Sequence, residues 1–79
     1  MPLFFFHVYD GVLAALDEEG LELPGLDAAR NEAIRGARSI LSDDLLRGCV
    51  DLSGRIDIVG DDGTTLLTLP FSDAFEIKR

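Results

Sequence analysis

The chain has 79 residues, 47% of them hydrophobic, and its 15 acidic side chains outnumber 7 basic ones to give a net charge of −8. That length allows one domain, and that apolar content is too high for a disordered chain. The charge argues against direct binding to nucleic-acid phosphates or anionic membranes, which want clustered Lys and Arg, and the single Cys49 excludes an intrachain disulfide.

With no disulfide framework, a reducing, cytoplasmic setting is expected. No apolar run approaches the roughly 20 residues that span a bilayer. The opening run has no basic flank and is interrupted by Asp10-Gly11, so it reads as a strand rather than an export signal.

The first element is Leu3 to Val8, with three consecutive phenylalanines. Strand side chains alternate, so Phe4, Phe6 and Val8 share one face, and Leu3, Phe5, His7 and Tyr9 the other. Both faces are apolar, which asks for cover on both sides of the sheet. Asp10-Gly11 reads as a two-residue hairpin turn with positive φ at both positions. It pairs Tyr9 with Val12, His7 with Ala14 and Phe5 with Leu16, and the second strand is Val12 to Leu16. Asp17-Glu18-Glu19-Gly20 ends that strand, with Gly20 at a positive φ.

Leu21 to Gly25 reads as a connector, with Pro24 disfavouring helix at Leu23 and Gly25 as the N-cap. At about 100° per residue, Leu26, Ala29, Ala33, Ile34, Ala37, Ile40 and Leu41 form one helical stripe. Asn31, Glu32, Arg35, Arg38 and Ser39 lie opposite. Arg30 falls at the stripe and is expected at its edge, with its head in water. Asp44 would fall on the apolar side of a straight helix. An irregularity is therefore expected at Ser42-Asp43-Asp44, with Ser42 capping a further turn through Arg47 and Gly48 stopping it.

Val50 to Gly54 is a connector. Arg55 to Val59 alternates as a strand with one side in water. Gly60-Asp61-Asp62-Gly63 is a second turn, and Thr64 to Leu69 the returning strand. After Pro70, Phe71, Ala74 and Phe75 are spaced for a short helical turn capped by Ser72; an extended tail through Phe75 and Ile77 is the alternative. Either form is a candidate cover for the second sheet face. The expected fold is α+β, in the order strand, strand, helix, strand, strand. Its four-stranded, mainly antiparallel sheet carries the helix on one face. Strand order and the face that the helix covers stay open.

These residues resemble a family of short bacterial proteins classed as a domain of unknown function. The resemblance runs through Phe5-Phe6-His7, Asp10-Gly11, Asp17 to Gly20, Glu22-Leu23-Pro24, Ala28-Ala29 and Glu32-Ala33. Later it takes in Gly54-Arg55-Ile56, Asp62-Gly63, Leu69-Pro70-Phe71 and Asp73-Ala74. Tyr9 and the apolar Leu13-Ala14-Ala15 depart from the pattern. The resemblance implies a small cytosolic α+β domain with no assigned catalytic residues.

Candidate chemistry is sparse. His7 is the only histidine, and Ala14, its expected cross-strand neighbour, offers neither acid nor nucleophile. The acid clusters lack calcium-loop spacing, and one Cys with one His makes no zinc site. Cys49 follows a helix C-terminus, where the dipole opposes a thiolate. No phosphate-binding glycine motif is present. No catalytic, metal or cofactor residues are therefore expected. The chain reads as a non-enzymatic module that associates with itself or with another protein. Phe5, His7, Tyr9 and Val12 are the expected interface on an aromatic sheet face. The alternatives are an acidic regulator that occupies a basic surface, and a small-ligand binder or enzyme centred on His7.

Overall fold

The computed structural model describes residues 1–78. Its elements are β1 (Leu3–Asp10), β2 (Leu13–Ala15), β3 (Leu21–Glu22), α1 (Leu26–Leu46), β4 (Arg55–Gly60), β5 (Thr65–Pro70) and a 3₁₀ turn (Phe71–Ala74). The sheet has the order β2-β1-β4-β5, and β3 joins β1 on the same edge as β2. All pairings are antiparallel. The α+β class, the two hairpins and the single helix are those expected from the sequence, with β3 as a fifth strand. Leu21–Glu22 is thus a strand rather than a connector, and the Leu23 N–H extends its reach to the Pro2 carbonyl at 3.1 Å. Since β3 and β4 both oppose β1, they run parallel, with α1 as the crossover and β1 between them.

The helix covers the face of Phe4, Phe6 and Val8. Ala29, Ala33, Ala37 and Leu41 are buried along it at intervals of four residues. Their small side chains bring the helix close to Phe4, Ile56, Ile58, Leu69 and Phe71, which form the core with them. Gly25 is the N-cap, without a side-chain bond, and Asp27 lies in the first turn, where the helix dipole favours it.

α1 runs unbroken through Ser42-Asp43-Asp44, so the expected irregularity and second cap are absent. Asp44 does fall on the buried side, 6% exposed, and stays there because it is paired. Its Oδ1 accepts from Arg47 Nη2 at 2.7 Å and its Oδ2 from the Asp51 N–H at 3.3 Å. A buried carboxylate with these donors needs no kink to escape the core. The helix then stops as expected at Gly48, which has positive φ. The Gly48 N–H donates to the Leu45 carbonyl and the Cys49 N–H to the Asp44 carbonyl, the paired bonds of a Schellman ending.

The first hairpin differs from its expected register. Tyr9 faces Ala14 and Val8 faces Ala15, a shift of two residues. Gly11 takes positive φ and Asp10 does not, so Gly11 and Val12 are the central residues and Asp10 ends the strand. A positive φ at the first central position alone suits Gly followed by Val. In the second hairpin the Gly60 N–H donates to the Thr64 carbonyl, and Gly63 takes positive φ. A bulge opposite Ile58 and Val59 leaves Leu66 unpaired.

Phe71–Ala74 forms the short helical turn, with Pro70 rather than Ser72 at its N-cap. It packs against α1, not on the opposite sheet face: Phe71 and Ala74 are buried in the helix-side core. Arg38 Nε also donates to the Ala74 carbonyl at 2.6 Å. The tail therefore does not cover the second face. It is seated by Gly54, whose carbonyl accepts from the Phe71 N–H.

A side chain at Gly54 has no room. An added Cβ would overlap the Phe71 ring and lie 2.8 Å from the Tyr9 carbonyl oxygen. Gly54→Ala is expected to lower stability by about 1–3 kcal/mol, the usual cost of overpacking. A lower urea midpoint at unchanged m-value checks this; an unchanged midpoint rejects the close contact.

Candidate functional site

Two surfaces are built around β1, the outer sheet face and the β2–β3 edge. Phe5, His7 and Tyr9 do share the outer face, but each is half-buried. Val12 is not with them: it projects from the hairpin tip, fully exposed. Polar groups cross the face. Opposite His7 stands Asp57, opposite Tyr9 stands Arg55, and Thr68 follows on β5. The Arg55 guanidinium lies 4.3 Å from the Tyr9 ring centroid, and its Nε is 3.3 Å from Asp57 Oδ1. Thr68 Oγ1 donates to the same carboxylate at 3.0 Å. The face is a linked polar and aromatic network rather than an apolar patch.

His7 has different neighbours from those expected. The register places no β2 residue beside it, and two acids flank it instead. On one side is Asp57. On the other, the Asp17 N–H donates to His7 Nδ1 at 3.0 Å. An accepting Nδ1 puts the proton of the neutral ring on Nε2.

Asp17 occupies a gap in the edge. β2 pairs with Val8–Asp10 and β3 with Leu3–Phe4, so the middle of β1 has no strand beyond it. Asp17 Oδ2 accepts the Phe6 N–H at 3.1 Å, in place of a strand carbonyl. Its Oδ1 accepts the Glu19 and Gly20 N–H groups, each at 3.1 Å. Burial alone would raise the Asp17 pKa; the Gly20, Phe6 and Glu19 N–H donors outweigh it and hold the carboxyl below its ordinary range. Gly20 has positive φ, and a Cβ there would be 3.0 Å from the Phe5 ring. The turn therefore folds down onto Phe5 and covers part of the outer face.

The edge itself is open. Leu13, Ala14 and Ala15 are all exposed. Leu13 is 70% and Leu16 60% accessible, with Leu21 further along. Between this edge and α1 runs an apolar groove. One part is lined by Phe6, Val8, Gly36 and Ile40, with Asp17 and Glu32 among its walls. A second part shares Val8 and Ile40 and reaches Leu13 and Asp10. The interrupted edge strand was not read from the sequence. Its signal is there: an Asp three residues before a positive-φ Gly, between two short apolar runs, is a side-chain-to-backbone turn.

Neither part of this groove is lined by His7. Among the described residues, no three His, Cys, Asp or Glu side chains are grouped to hold a metal ion. Cys49 is an exposed free thiol beyond the helix stop. Among the described residues no helix is long and apolar enough to cross a membrane.

Residues 3–72 match a family described as a domain of unknown function, DUF6894. The chain belongs to that family. No curated protein and no solved structure matches it.

Asp17 is expected to stabilise the fold through its three N–H donors. Asp17→Ala leaves the Phe6 N–H without its acceptor and is expected to cost about 1–3 kcal/mol. The pH dependence has a definite sign. A carboxyl whose pKa is lowered on folding adds stability that is present above its unfolded value and lost as pH falls through the folded value. Urea titrations from neutral to acidic pH should show wild type losing this increment on acidification. Asp17→Ala should show a shallower loss, and parallel curves for the two proteins would reject the role.

Proposed function

We propose that this DUF6894 chain is a non-enzymatic binding module that captures an extended, basic segment of another protein along its β2–β3 edge. The observation that carries this reading is the exposed apolar strand Leu13–Ala15 beside an open groove. An edge strand presents unpaired backbone donors and acceptors to any chain that can add to the sheet. The Phe6 N–H points to this edge. By antiparallel alternation, Val8 and Asp10 then bond to Ala15 and Leu13, and Ala14 turns its N–H and C=O outward. Leu13, Leu16 and the groove offer apolar contacts for alternate side chains of an added strand.

Charge selects the partner. Asp10, Asp17, Glu18, Glu19 and Glu22 all lie along or beside this edge. A second copy would bring the same acids against them, whereas a Lys- or Arg-bearing segment would neutralise them. This favours a heteromeric partner over the homodimer. The outer face of Phe5, His7 and Tyr9 supports association less well, because its charged groups are already paired across it.

The test uses a capped peptide alternating Lys and Val, with a Glu–Val peptide as control, followed by amide chemical shifts. Expected are shifts at Leu13–Leu16 and Leu21, weaker binding at high salt, and no binding of the control. Ala14→Pro removes only an outward N–H and so should fold but fail to bind. Equal binding of both peptides, or binding by Ala14→Pro, rejects strand addition. A dimer that persists at high salt in light scattering rejects the heteromeric reading.

A further inference from the structure

A separate cleft of about 290 Å³ opens between the second half of α1, the Val50 connector and the segment after the 3₁₀ turn. Leu41, Leu45, Val50 and Phe75 form its apolar walls, and Arg38 and Ser42 are its polar groups. Arg38 and Ser42 are four residues apart, so they face the cleft from successive turns. The Arg38 guanidinium is held in place: its Nε donates to the Ala74 carbonyl at 2.6 Å. Four of its five N–H donors, on the two Nη atoms, remain.

Among the described residues Arg35, Arg47 and Arg55 each have a carboxylate partner, whereas Arg30 and Arg38 have none, and of these two only Arg38 is held by a hydrogen bond. Arg38 is solvent-exposed, but its guanidinium is fixed at the mouth of an apolar cleft, where its remaining donors can meet an external anion. The net charge of −8 opposes a dianion more than a monoanion, and the apolar walls suit a hydrocarbon chain. We infer that this cleft binds a small apolar monocarboxylate, a medium-chain aliphatic acid. The carboxylate takes the Arg38 Nη donors and the Ser42 hydroxyl. The chain lies against Leu41, Leu45, Val50 and Phe75. The cleft shares no lining residue with the groove at the β2–β3 edge, so the two readings stand or fall separately.

The test is a titration with octanoate, read by amide shifts and calorimetry. Expected is saturable binding with Kd on the order of 1 mM or tighter, and shifts confined to Arg38–Leu45, Val50 and Phe75. Octanol should bind at least about tenfold more weakly, and so should octanoate to Arg38→Gln, since each removes one half of the ion pair. Because Arg38 also holds the tail, a second variant is needed. Leu45→Glu changes an exposed position and should stay folded but lose octanoate. Arg35→Gln should bind as wild type does. Absence of saturable shifts, equal binding of octanol, or full binding by Leu45→Glu overturns the site. Tighter binding of a peptide ending in leucine would overturn the free acid as its occupant.

Discussion

One helix can cover one face of a sheet, and the arrangement of this chain follows from that constraint. The alanine stripe of α1 takes the side of Phe4, Phe6 and Val8, and the 3₁₀ turn adds Phe71 to the same layer. Nothing of comparable size is left for the other side. The outer face is therefore stabilised within itself. Arg55 rests on Tyr9, Asp57 joins Arg55 to Thr68, and the Asp17–Gly20 turn lies over Phe5. Each contact is modest alone, since partly exposed ion pairs and cation–π contacts contribute about 1 kcal/mol or less. Together they let aromatic side chains stand on a face without a covering layer.

The fold class, both hairpins and the buried side of α1 were legible because each rests on local pattern. Alternation, helical spacing and positive-φ glycines are properties of short windows. The misreadings share a different cause, since each depends on a partner distant in sequence or on a choice between neighbouring options. Asp10-Gly11 contains the turn glycine, but whether Gly11 is first or second in the turn shifts the pairing by two. By pattern alone Asp44 is too polar for the buried side of a straight helix, and it is Arg47 and the Asp51 N–H that let it stay there. The side taken by the tail is set by the Gly54 opening and the Arg38–Ala74 bond, neither of which a short window of sequence contains. Of the four residues expected at an interface, Phe5, His7 and Tyr9 share one sheet face, as strand alternation predicts. Val12 does not, because the shifted register moves it from strand to turn.

The same acids serve two purposes. Asp17 satisfies backbone donors at the break in the edge, and with its neighbours it surrounds that edge with negative charge. Natural edge strands are commonly protected by charge against pairing with copies of themselves. In the proposed reading that protection is selective, since one sign of charge repels like chains and attracts chains of opposite sign. Leu13–Ala15 can then remain apolar without a charge inside the strand itself.

The central place of β1 has a consequence for synthesis. Phe5 pairs with Val59 and Phe6 with Ile58, partners more than 50 residues apart in a chain of 79. As the polypeptide emerges, the first hairpin can close early, since its turn is local. Its three phenylalanines must then wait for α1 to be made before one face is hidden, and for β4 before the second edge of β1 is paired. Non-local pairing of this kind slows folding and prolongs exposure of sticky surface. During that interval the acids from Asp10 to Glu22 are the nearest charges to the exposed phenylalanines. They would keep nascent chains apart until the strand that completes the sheet has arrived.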